Sequence, residues 1–471
     1  MQAKIFFGSN ETTKENVSQR KSPYNFEVVS TAPICDADDA IKALNIAQIA
    51  TKEAKKSTIS KRCSWLLDVA QKLREQKEDI AKTITDEVGK PIAFARVEVD
   101  RCIETVTLSA ETMRTMGGET INTDAMHSGK KTTAFFKREA VGVVVAITPF
   151  NFPLNLVAHK LAPALVAGNA VVLKPTPEAP LTAYKFAKLF IESQYAIKDA
   201  LSVVYGDAEV GNALITSDIP RVVSFTGSVP VGNIIIKSAG IKKVSLELGG
   251  NAATFIDKSA DLDLAANRCA LGAFVNSGQV CISLQRIYVD IEIYDEFAQK
   301  MAQETKKLII GSPYDDDTFL GPLIDDDAAS RAMKWVESAI EEGAKPLLPP
   351  HREGRMFHPC VMADVRDDMA IVCEEVFAPI VSLVKVDDFD DALPRMNNSP
   401  YGLQFSVFTN DLKLTQRAIE ELDAGGVVIN DMPTLRFDIQ PYGGVKLSGV
   451  GREGPRFAIE EMTEIKSVVI C

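Results

Sequence analysis

Between residues 143 and 248 the sequence alternates short apolar segments with longer amphipathic ones, and this alternation constrains the fold more than any other feature. The apolar segments are rich in Val, Leu and Ile, as in Val143–Ile147, Ala170–Lys174 and 243–248. Strands that are apolar on both faces are typical of a parallel sheet covered by helices on both sides. The predicted fold class is therefore α/β, with a doubly wound parallel sheet that binds ligands at the carboxyl ends of its strands.

The rest of the chain extends this pattern in both directions. Apolar residues at helical spacing predict three helices in the first third, over 36–54, 60–87 and 93–116. After a predicted hinge at Gly249-Gly250, a second alternating run begins with a predicted helix over 262–276 and continues to about residue 430. This run predicts a second α/β domain. The short apolar tail, Val468-Val469-Ile470, is expected to join a sheet of its own chain or of a partner.

Composition excludes several classes of protein. The chain has 471 residues, and a net charge of −12 leaves no expected basic face for nucleic acid. No apolar run approaches the roughly 18 residues that a membrane span needs, and no signal-peptide pattern is present, so we expect a cytoplasmic protein. The 8 cysteines form no C-x-x-C pair, which predicts reduced thiols without disulfides or a metal site.

Cys281 is the residue that bears most directly on chemistry. It follows Asn276-Ser277-Gly278-Gln279-Val280, a turn signal between two apolar stretches. A nucleophilic thiol needs an acid or base partner, which is usually histidine, but none of the 4 histidines has a setting that suggests a Cys–His pair. The expected partner is therefore a carboxylate, and Glu247, just before Leu248-Gly249-Gly250, is the candidate.

Three predicted strands end in segments that could bind a nucleotide or an oxyanion, and each has an ordinary structural alternative. The segment 225–232, Phe-Thr-Gly-Ser-Val-Pro-Val-Gly, opens a helix whose free N–H groups would attract phosphate, although an N-capped turn has the same pattern. Asn151 could donate its amide to an oxyanion or bond its own backbone. Lys174 could contact a ribose or a phosphate, or be solvated. Each segment taken alone is a weak signal.

Taken together, these segments resemble the aldehyde dehydrogenase superfamily in order and spacing over nearly the whole chain. The matching segments are 148–151, the surroundings of Lys174, 225–232, 246–250, 278–283, 374–379 and 441–449. Residues 433–438 resemble the lactaldehyde dehydrogenase-like branch. The resemblance implies a Rossmann-like cofactor domain (1–112 and 138–248) and a catalytic domain (249–444). It also implies a small β arm (113–137 and 445–471) that joins protomers into a homodimer or homotetramer.

The resemblance also implies roles for individual residues. Cys281 would add to the aldehyde carbonyl, Asn151 would hold the oxyanion, and Glu247 would activate the water that hydrolyses the thioester. The residues implied to contact the cofactor are Ile147, Thr148, Pro149, Phe150, Lys174, Thr176, Pro177, Gly211, Phe225, Thr226, Gly227, Ser228, Leu248, Gly249, Glu375 and Phe377.

The cofactor is expected to be NADP or NAD, and one departure from the family favours NADP. Many NAD-preferring members carry glutamate three residues after the strand-end lysine, where this chain has Pro177, and Glu178 comes one residue late. A 2′-phosphate would meet less repulsion there, and Lys174 could pair with it.

The expected substrate is a small aldehyde. Hydroxylated aldehydes such as lactaldehyde and glycolaldehyde belong to the expected class. Val280 stands where non-phosphorylating glyceraldehyde-3-phosphate dehydrogenases usually have arginine. Candidate substrate contacts are Arg101, Val280, Ile282 and Arg436, with surface salt bridges an equal alternative for both arginines. A succinate-semialdehyde-type enzyme, a CoA-acylating enzyme and a structural protein stay open. Glu247 disfavours the CoA reaction, and its presence with Asn151 and Cys281 disfavours the structural protein.

Overall fold

The computed structural model describes residues 1–471 and places fifteen α-helices and twenty-four β-strands along the chain. The helices are α1 (Ala37–Lys56), α2 (Ile59–Glu75), α3 (Lys77–Val88), α4 (Ile92–Thr115), α5 (Asn155–Ala167), α6 (Pro180–Ile191), α7 (Ala208–Thr216), α8 (Val229–Ser238), α9 (Leu262–Phe274), α10 (Tyr294–Lys306), α11 (Asp326–Glu341), α12 (Ala370–Cys373), α13 (Phe389–Asn397), α14 (Leu412–Glu421) and α15 (Pro455–Glu461).

The strands of the first half are β1 (Ile5–Phe7), β2 (Asn10–Thr12), β3 (Val17–Lys21), β4 (Val28–Pro33), β5 (Glu119–Asn122), β6 (Thr133–Ala140), β7 (Val143–Ile147), β8 (Ala170–Lys174), β9 (Leu201–Val203), β10 (Val222–Thr226) and β11 (Lys243–Glu247). Those of the second half are β12 (Ala252–Ile256), β13 (Leu284–Asp290), β14 (Lys345–Pro346), β15 (Arg352–Glu353), β16 (Met356–Phe357), β17 (Cys360–Ala363), β18 (Ile380–Val386), β19 (Tyr401–Gly402), β20 (Gln404–Phe408), β21 (Gly426–Ile429), β22 (Val445–Lys446), β23 (Gly449–Val450) and β24 (Thr463–Ile470).

Two large sheets organise the chain, and they confirm the predicted α/β class. The first has the order β2-β1-β9-β8-β7-β10-β11-β23, with parallel pairing from β9 to β11 and antiparallel strands at both edges. The second has the order β14-β17-β18-β13-β12-β20-β21 and is parallel except at β14. Every residue of β7, β8, β10 and β12 is buried, which is why these segments are predominantly apolar in sequence.

Two local predictions were wrong, and four short strands were not predicted at all. The strands β1 to β4 were missed because they are short, and β1 pairs with β9, almost two hundred residues further along the chain. The helix predicted over 60–87 is two helices, since Gln76 has φ −108° and ψ 15° and interrupts the helical backbone. The second run begins with the buried strand β12, not with a helix.

The C-terminal tail joins a sheet, as expected, and its neighbour belongs to the same chain. Strand β24 pairs antiparallel with β6 along all eight residues, and β5 completes a three-stranded sheet in the order β24-β6-β5. The outer edge of β24 is unpaired, and its side chains at Ile465, Val469 and Ile470 are exposed. No helix of the protein combines the length and the apolarity that crossing a bilayer requires.

Candidate active site

A cavity of about 440 Å³ lies where the loops after β7, β10 and β11 meet residues of the second α/β unit. Strand β7 lies between β8 and β10. The chain first adds β8 and β9 on one side of β7 and then adds β10 and β11 on the other side. In such sheets the crevice beside the first strand is the usual ligand site. The predicted residues in the cavity wall are Arg101, Pro149, Phe150, Asn151, Thr226, Gly227, Ser228, Glu247, Leu248, Gly249, Val280, Cys281, Ile282, Glu375, Phe377 and Arg436.

The other predicted cofactor residues lie outside the cavity, at the neighbouring part of the same sheet edge. They are Ile147, Thr148, Lys174, Thr176, Pro177, Gly211 and Phe225. Ile147 is in register with both Lys174 and Phe225. Gly211 of α7 faces the Lys174 side chain, because a Cβ added there would lie 3.9 Å from its aliphatic carbons. A single sheet edge therefore connects these residues to the cavity.

Cys281 is held by a tight turn that follows α9. Asn276, Ser277 and Gly278 adopt left-handed backbone angles, with φ of 52°, 55° and 71°. A side chain at Gly278 is excluded, because its Cβ would lie 2.3 Å from the carbonyl oxygen of Ala378. This turn places the partly exposed Cys281 in the cavity wall. Burial raises the pKa of its thiol to about 12, although the hydrogen bond between Sγ and the Tyr442 hydroxyl opposes that effect.

Asn151 reaches the loop that carries Cys281. Its Nδ2 donates to the carbonyl oxygen of Gln279 at 3.1 Å, and its Oδ1 accepts the Phe152 N–H at 3.1 Å. The amide group carries two hydrogens, and one of them is left without a partner in the protein. The bond from Asn151 to its neighbouring backbone, which was the alternative to an oxyanion role, is thus present. The second bond, to Gln279, fixes Asn151 beside the thiol.

Glu247 ends strand β11 with 3% of its surface exposed, and neither of its carboxylate oxygens has a hydrogen-bond partner. Burial, and then repulsion from Glu453, raise its pKa well above the usual value. Both effects favour the protonated form of the carboxyl in this state. Gly443 leaves room for it, because a Cβ there would lie 2.8 Å from Oε1 of Glu247. An unpartnered buried carboxyl of this kind is typical of a catalytic acid or base.

Arg436 lies in a buried charged cluster, which contradicts the surface salt bridge considered for it. Its side chain is 9% exposed, and Nη2 lies 3.2 Å from Oε2 of Glu453, whose Oε1 lies 3.2 Å from Nζ of Lys160. Arg101 is more exposed and binds Oδ1 of Asp438 at 2.7 Å. Both arginines face the cavity.

The residues of this cluster other than the arginines were not found from the sequence. His159 lies 3.1 Å from Oδ1 of Asp438, and burial and then Arg436 lower its pKa, so it is neutral at physiological pH. Tyr442 was also missed as a site residue, although its hydroxyl lies 3.0 Å from Sγ of Cys281. Its one sequence signal was its place between Pro441 and Gly443, in a segment noted only for its resemblance to the family.

Glu375 and Phe377 enter the cavity from a loop before β18. Oε1 of Glu375 accepts the N–H of Gly250 at 3.0 Å, and burial raises the pKa of this carboxyl to about 7. Phe377 has a φ of 50°, unusual for an aromatic residue, and its ring contacts Phe150 edge to face at 6.1 Å. The loop therefore places one carboxylate and one aromatic face in the same wall.

The sheet edge fits a nicotinamide dinucleotide. Ser228 begins helix α8 without a side-chain cap, which leaves backbone N–H groups available for a pyrophosphate. The hydroxyls of Thr148 and Thr226 are buried without partners. Lys174 is 8% exposed and forms no salt bridge, although Asp207 and Glu178 act on it electrostatically from further away. These groups leave hydrogen-bond donors and one cation available along a single sheet edge.

The aldehyde dehydrogenase family model matches residues 10–468. The 3-sulfolactaldehyde dehydrogenase of Priestia aryabhattai is 42% identical over 98% of this chain and 96% of its own. The lactaldehyde dehydrogenase of Methanococcus aeolicus is 40% identical over 96% of each chain. Among solved structures, glyceraldehyde-3-phosphate dehydrogenase from Methanocaldococcus jannaschii complexed with NADP has a TM-score of 0.93 and 38% identity, covering 97% of this chain and 100% of that one.

The chain therefore belongs to the aldehyde dehydrogenase family. It is an NAD(P)-dependent aldehyde oxidoreductase, and the prediction of an enzyme of this class is confirmed.

Proposed function

We propose that this enzyme oxidises a small hydroxylated aldehyde of the lactaldehyde or glycolaldehyde type to the carboxylic acid, with Cys281 as the nucleophile. The observation that supports the proposal most is that Cys281, Asn151 and Glu247 lie in the wall of one cavity. The relatives at 40% and 42% identity bear the names of enzymes for lactaldehyde and 3-sulfolactaldehyde.

The first step in the proposal is the attack of the Cys281 thiolate on the aldehyde carbon. The carbonyl electron pair moves to oxygen, and the Asn151 amide together with the Cys281 backbone N–H would hold the oxyanion. Each such donor is worth about 3 kcal/mol in the barrier. Bound NAD(P) supplies the acceptor for the hydride that leaves the adduct. Glu247 would then take a proton from the water that hydrolyses the thioester, releasing the acid and the thiolate.

We propose that one group of residues holds the adenosine and pyrophosphate part of the cofactor and that a second group holds the nicotinamide part. Ser228 and the start of α8 would bind the pyrophosphate, and Lys174 would bind the adenosine ribose and a 2′-phosphate. Glu375 would bind the nicotinamide ribose, with Phe377 beside the ring. Preference for NADP is supported by a nearly buried Lys174 ammonium without an ion pair. Glu178 instead forms a hydrogen bond with the hydroxyl of Thr176, while Pro177 is exposed and carries no charge.

Replacing Pro177 by glutamate is expected to lower kcat/KM for NADP at least about tenfold relative to NAD. The added carboxylate would repel the 2′-phosphate and pair with Lys174 instead. Steady-state kinetics with each cofactor at a fixed aldehyde concentration measure the ratio, with Pro177→Ala as the uncharged control. A wild-type enzyme that strongly prefers NAD, or a ratio that the glutamate leaves unchanged, would contradict the preference for NADP.

An aldehyde that also carries an anionic group is the second candidate substrate. Around the cavity, Lys90, Arg101, Lys160 and Arg436 face the three carboxylates Glu98, Asp438 and Glu453. Arg331 and Glu375 also line the cavity, so five cations stand against four carboxylates other than Glu247. The sulfonate named in the 42% relative is an anion of this kind.

Substrate selection is tested by comparing kcat/KM for glycolaldehyde, lactaldehyde, 3-sulfolactaldehyde, succinate semialdehyde and propanal. We expect the hydroxylated aldehydes to exceed propanal. Activity confined to long-chain or aromatic aldehydes would refute the proposal.

Replacing Arg101 by methionine is expected to lower kcat/KM for the anionic aldehydes about tenfold to a hundredfold, the cost of a hydrogen bond to a charged group. The values for lactaldehyde and propanal should change about twofold or less. Arg96→Met is the matched control, since Arg96 lies on the same helix α4 and pairs with Glu78 and Asp316 outside the cavity. Equal losses for charged and uncharged aldehydes would exclude anion recognition by Arg101.

Assembly into a homodimer or homotetramer is also part of the proposal. The free edge of β24 and the exposed Ile465, Val469 and Ile470 offer a strand and apolar side chains to a second copy. We infer that this arm, 113–137 with 445–471, serves two domains, 1–112 with 138–248 and 249–444. A monomeric mass by light scattering would contradict the assembly.

A further inference from the structure

The Sγ atom of Cys281 makes a hydrogen bond with one protein group, the hydroxyl of Tyr442 at 3.0 Å. In a neutral pair either atom can be the donor. Once the thiol has lost its proton it can only accept, so the phenol must donate. Tyr442 is 6% exposed and packs with Val280, Ile282 and Leu403 around the nucleophile. Its hydroxyl is therefore directed at sulfur by a closely packed environment.

The backbone and the ring of Tyr442 are both held in place. Its N–H donates to the carbonyl of Glu453 at 3.1 Å, and the N–H of Glu453 donates back at 2.6 Å. The Glu453 carboxylate is itself fixed by Arg436 and Lys160. The Arg436 guanidinium lies 3.6 Å from the centre of the Tyr442 ring. A cation over a phenol ring makes its hydroxyl a better hydrogen-bond donor.

We propose that Tyr442 is a catalytic residue whose hydroxyl donates a hydrogen bond to the Cys281 thiolate, stabilising the ionised nucleophile and directing it into the cavity. The proposal rests on the nucleophilic role proposed for Cys281. The thiol proton leaves to solvent through the cavity, and the phenol keeps its own. When sulfur forms its bond to the aldehyde carbon it loses its negative charge, and the hydrogen bond weakens.

The charges that face these two groups show why a donor is needed. Glu375 and Glu247 act on Cys281 to disfavour its ionisation, and Arg436 favours it. The groups that act on Tyr442 are Cys281, Arg436 and Glu247, and burial holds the pKa of the phenol well above its usual value. The phenol therefore remains protonated throughout the neutral range. It is the group in direct contact with sulfur that compensates for burial of the thiolate.

Replacing Tyr442 by phenylalanine removes the hydroxyl and keeps the ring. The midpoint of Cys281 alkylation by iodoacetamide, followed over a pH series by peptide mass spectrometry, is expected to rise by about one to two units. Alkylation at neutral pH and kcat should fall about tenfold to a hundredfold, while KM for aldehyde and cofactor changes about twofold or less. Cofactor-induced thermal stabilisation should equal that of the wild type, which shows that the cofactor site is folded.

Two controls and a second variant make the outcomes distinct. Cys373→Ser and Cys471→Ser remove the exposed thiols from the background. Tyr205→Phe removes a buried phenolic hydroxyl that has no partner and lies outside the cavity. Tyr442→fluorotyrosine introduces a more acidic donor, so it should lower the midpoint. An unchanged midpoint in both 442 variants would overturn the role of Tyr442. Wild-type activity that survives complete Cys281 alkylation would instead overturn the proposed function.

Discussion

Replacing Cys281 by serine is expected to lower kcat for aldehyde oxidation by at least about a thousandfold, as removal of a covalent nucleophile does in other enzymes. The thiol of Cys281 lies in a site where burial already raises its pKa to about 12. A serine hydroxyl is far less acidic, and the same burial would penalise its alkoxide further. The hydrogen bond from Tyr442 cannot compensate for a difference of that size.

Formation of NAD(P)H, measured both in the steady state and in a rapid-mixing burst, checks this expectation. Both signals should disappear, while NADP still stabilises the variant against heat because Cys281 is not proposed to hold the cofactor. Cys269→Ser is the matched control. Cys269 is a buried thiol on α9, the helix that precedes the Cys281 turn, and it lies outside the cavity. A Cys281→Ser variant within about tenfold of wild-type kcat would exclude covalent catalysis at this residue.

The strands around the cofactor edge could be predicted to within about one residue, because what defines them is local. Each of β7, β8 and β10 consists mainly of apolar residues and is followed by a helix pattern. The strands β1 and β2 gave no such signal, since they are three residues long and β1 depends on pairing with β9. The strand β12 follows Gly249-Gly250 so closely that its five residues, four of them apolar, read as part of a hinge.

The site divides in the same way. Cys281, Glu247 and Asn151 each lie in a short segment with its own pattern, so the sequence was sufficient to propose them. Tyr442 comes close to Cys281 only because the C-terminal segment returns to the first sheet, where Gly449 of β23 pairs with Glu247 of β11.

Lys160, His159 and Glu453 illustrate the same limit. They come from helix α5 and from the segment after β23, and no spacing in the sequence indicates that they share one buried cluster. Long-range pairing is the information that a single sequence does not display. The cluster nevertheless decides which charges surround Glu247.

Replacing Glu247 by glutamine is expected to separate the two halves of the reaction. The proposed base acts after hydride transfer, so a burst of about one NAD(P)H per active site should remain. The steady-state rate should fall about a hundredfold to ten-thousandfold, the usual contribution of a general base. In the wild type, burial and Glu453 raise the pKa of Glu247, so the carboxyl must lose a proton before it can accept one from water. The deacylation rate should therefore rise with pH in the wild type and lose that dependence in the variant.

Rapid mixing followed by steady-state recording gives both phases in one experiment, and Glu464→Gln, on the exposed face of β24, is the control. If the burst disappears together with turnover, Glu247 acts before hydride transfer, as the acceptor of the Cys281 proton. If added CoA restores turnover and acyl-CoA accumulates, the thioester is open to a thiol acceptor in place of water. If the wild-type enzyme forms acyl-CoA in preference to the acid, its reaction is the CoA-acylating one and the proposed hydrolysis is wrong. Glu247 would then have no water to activate.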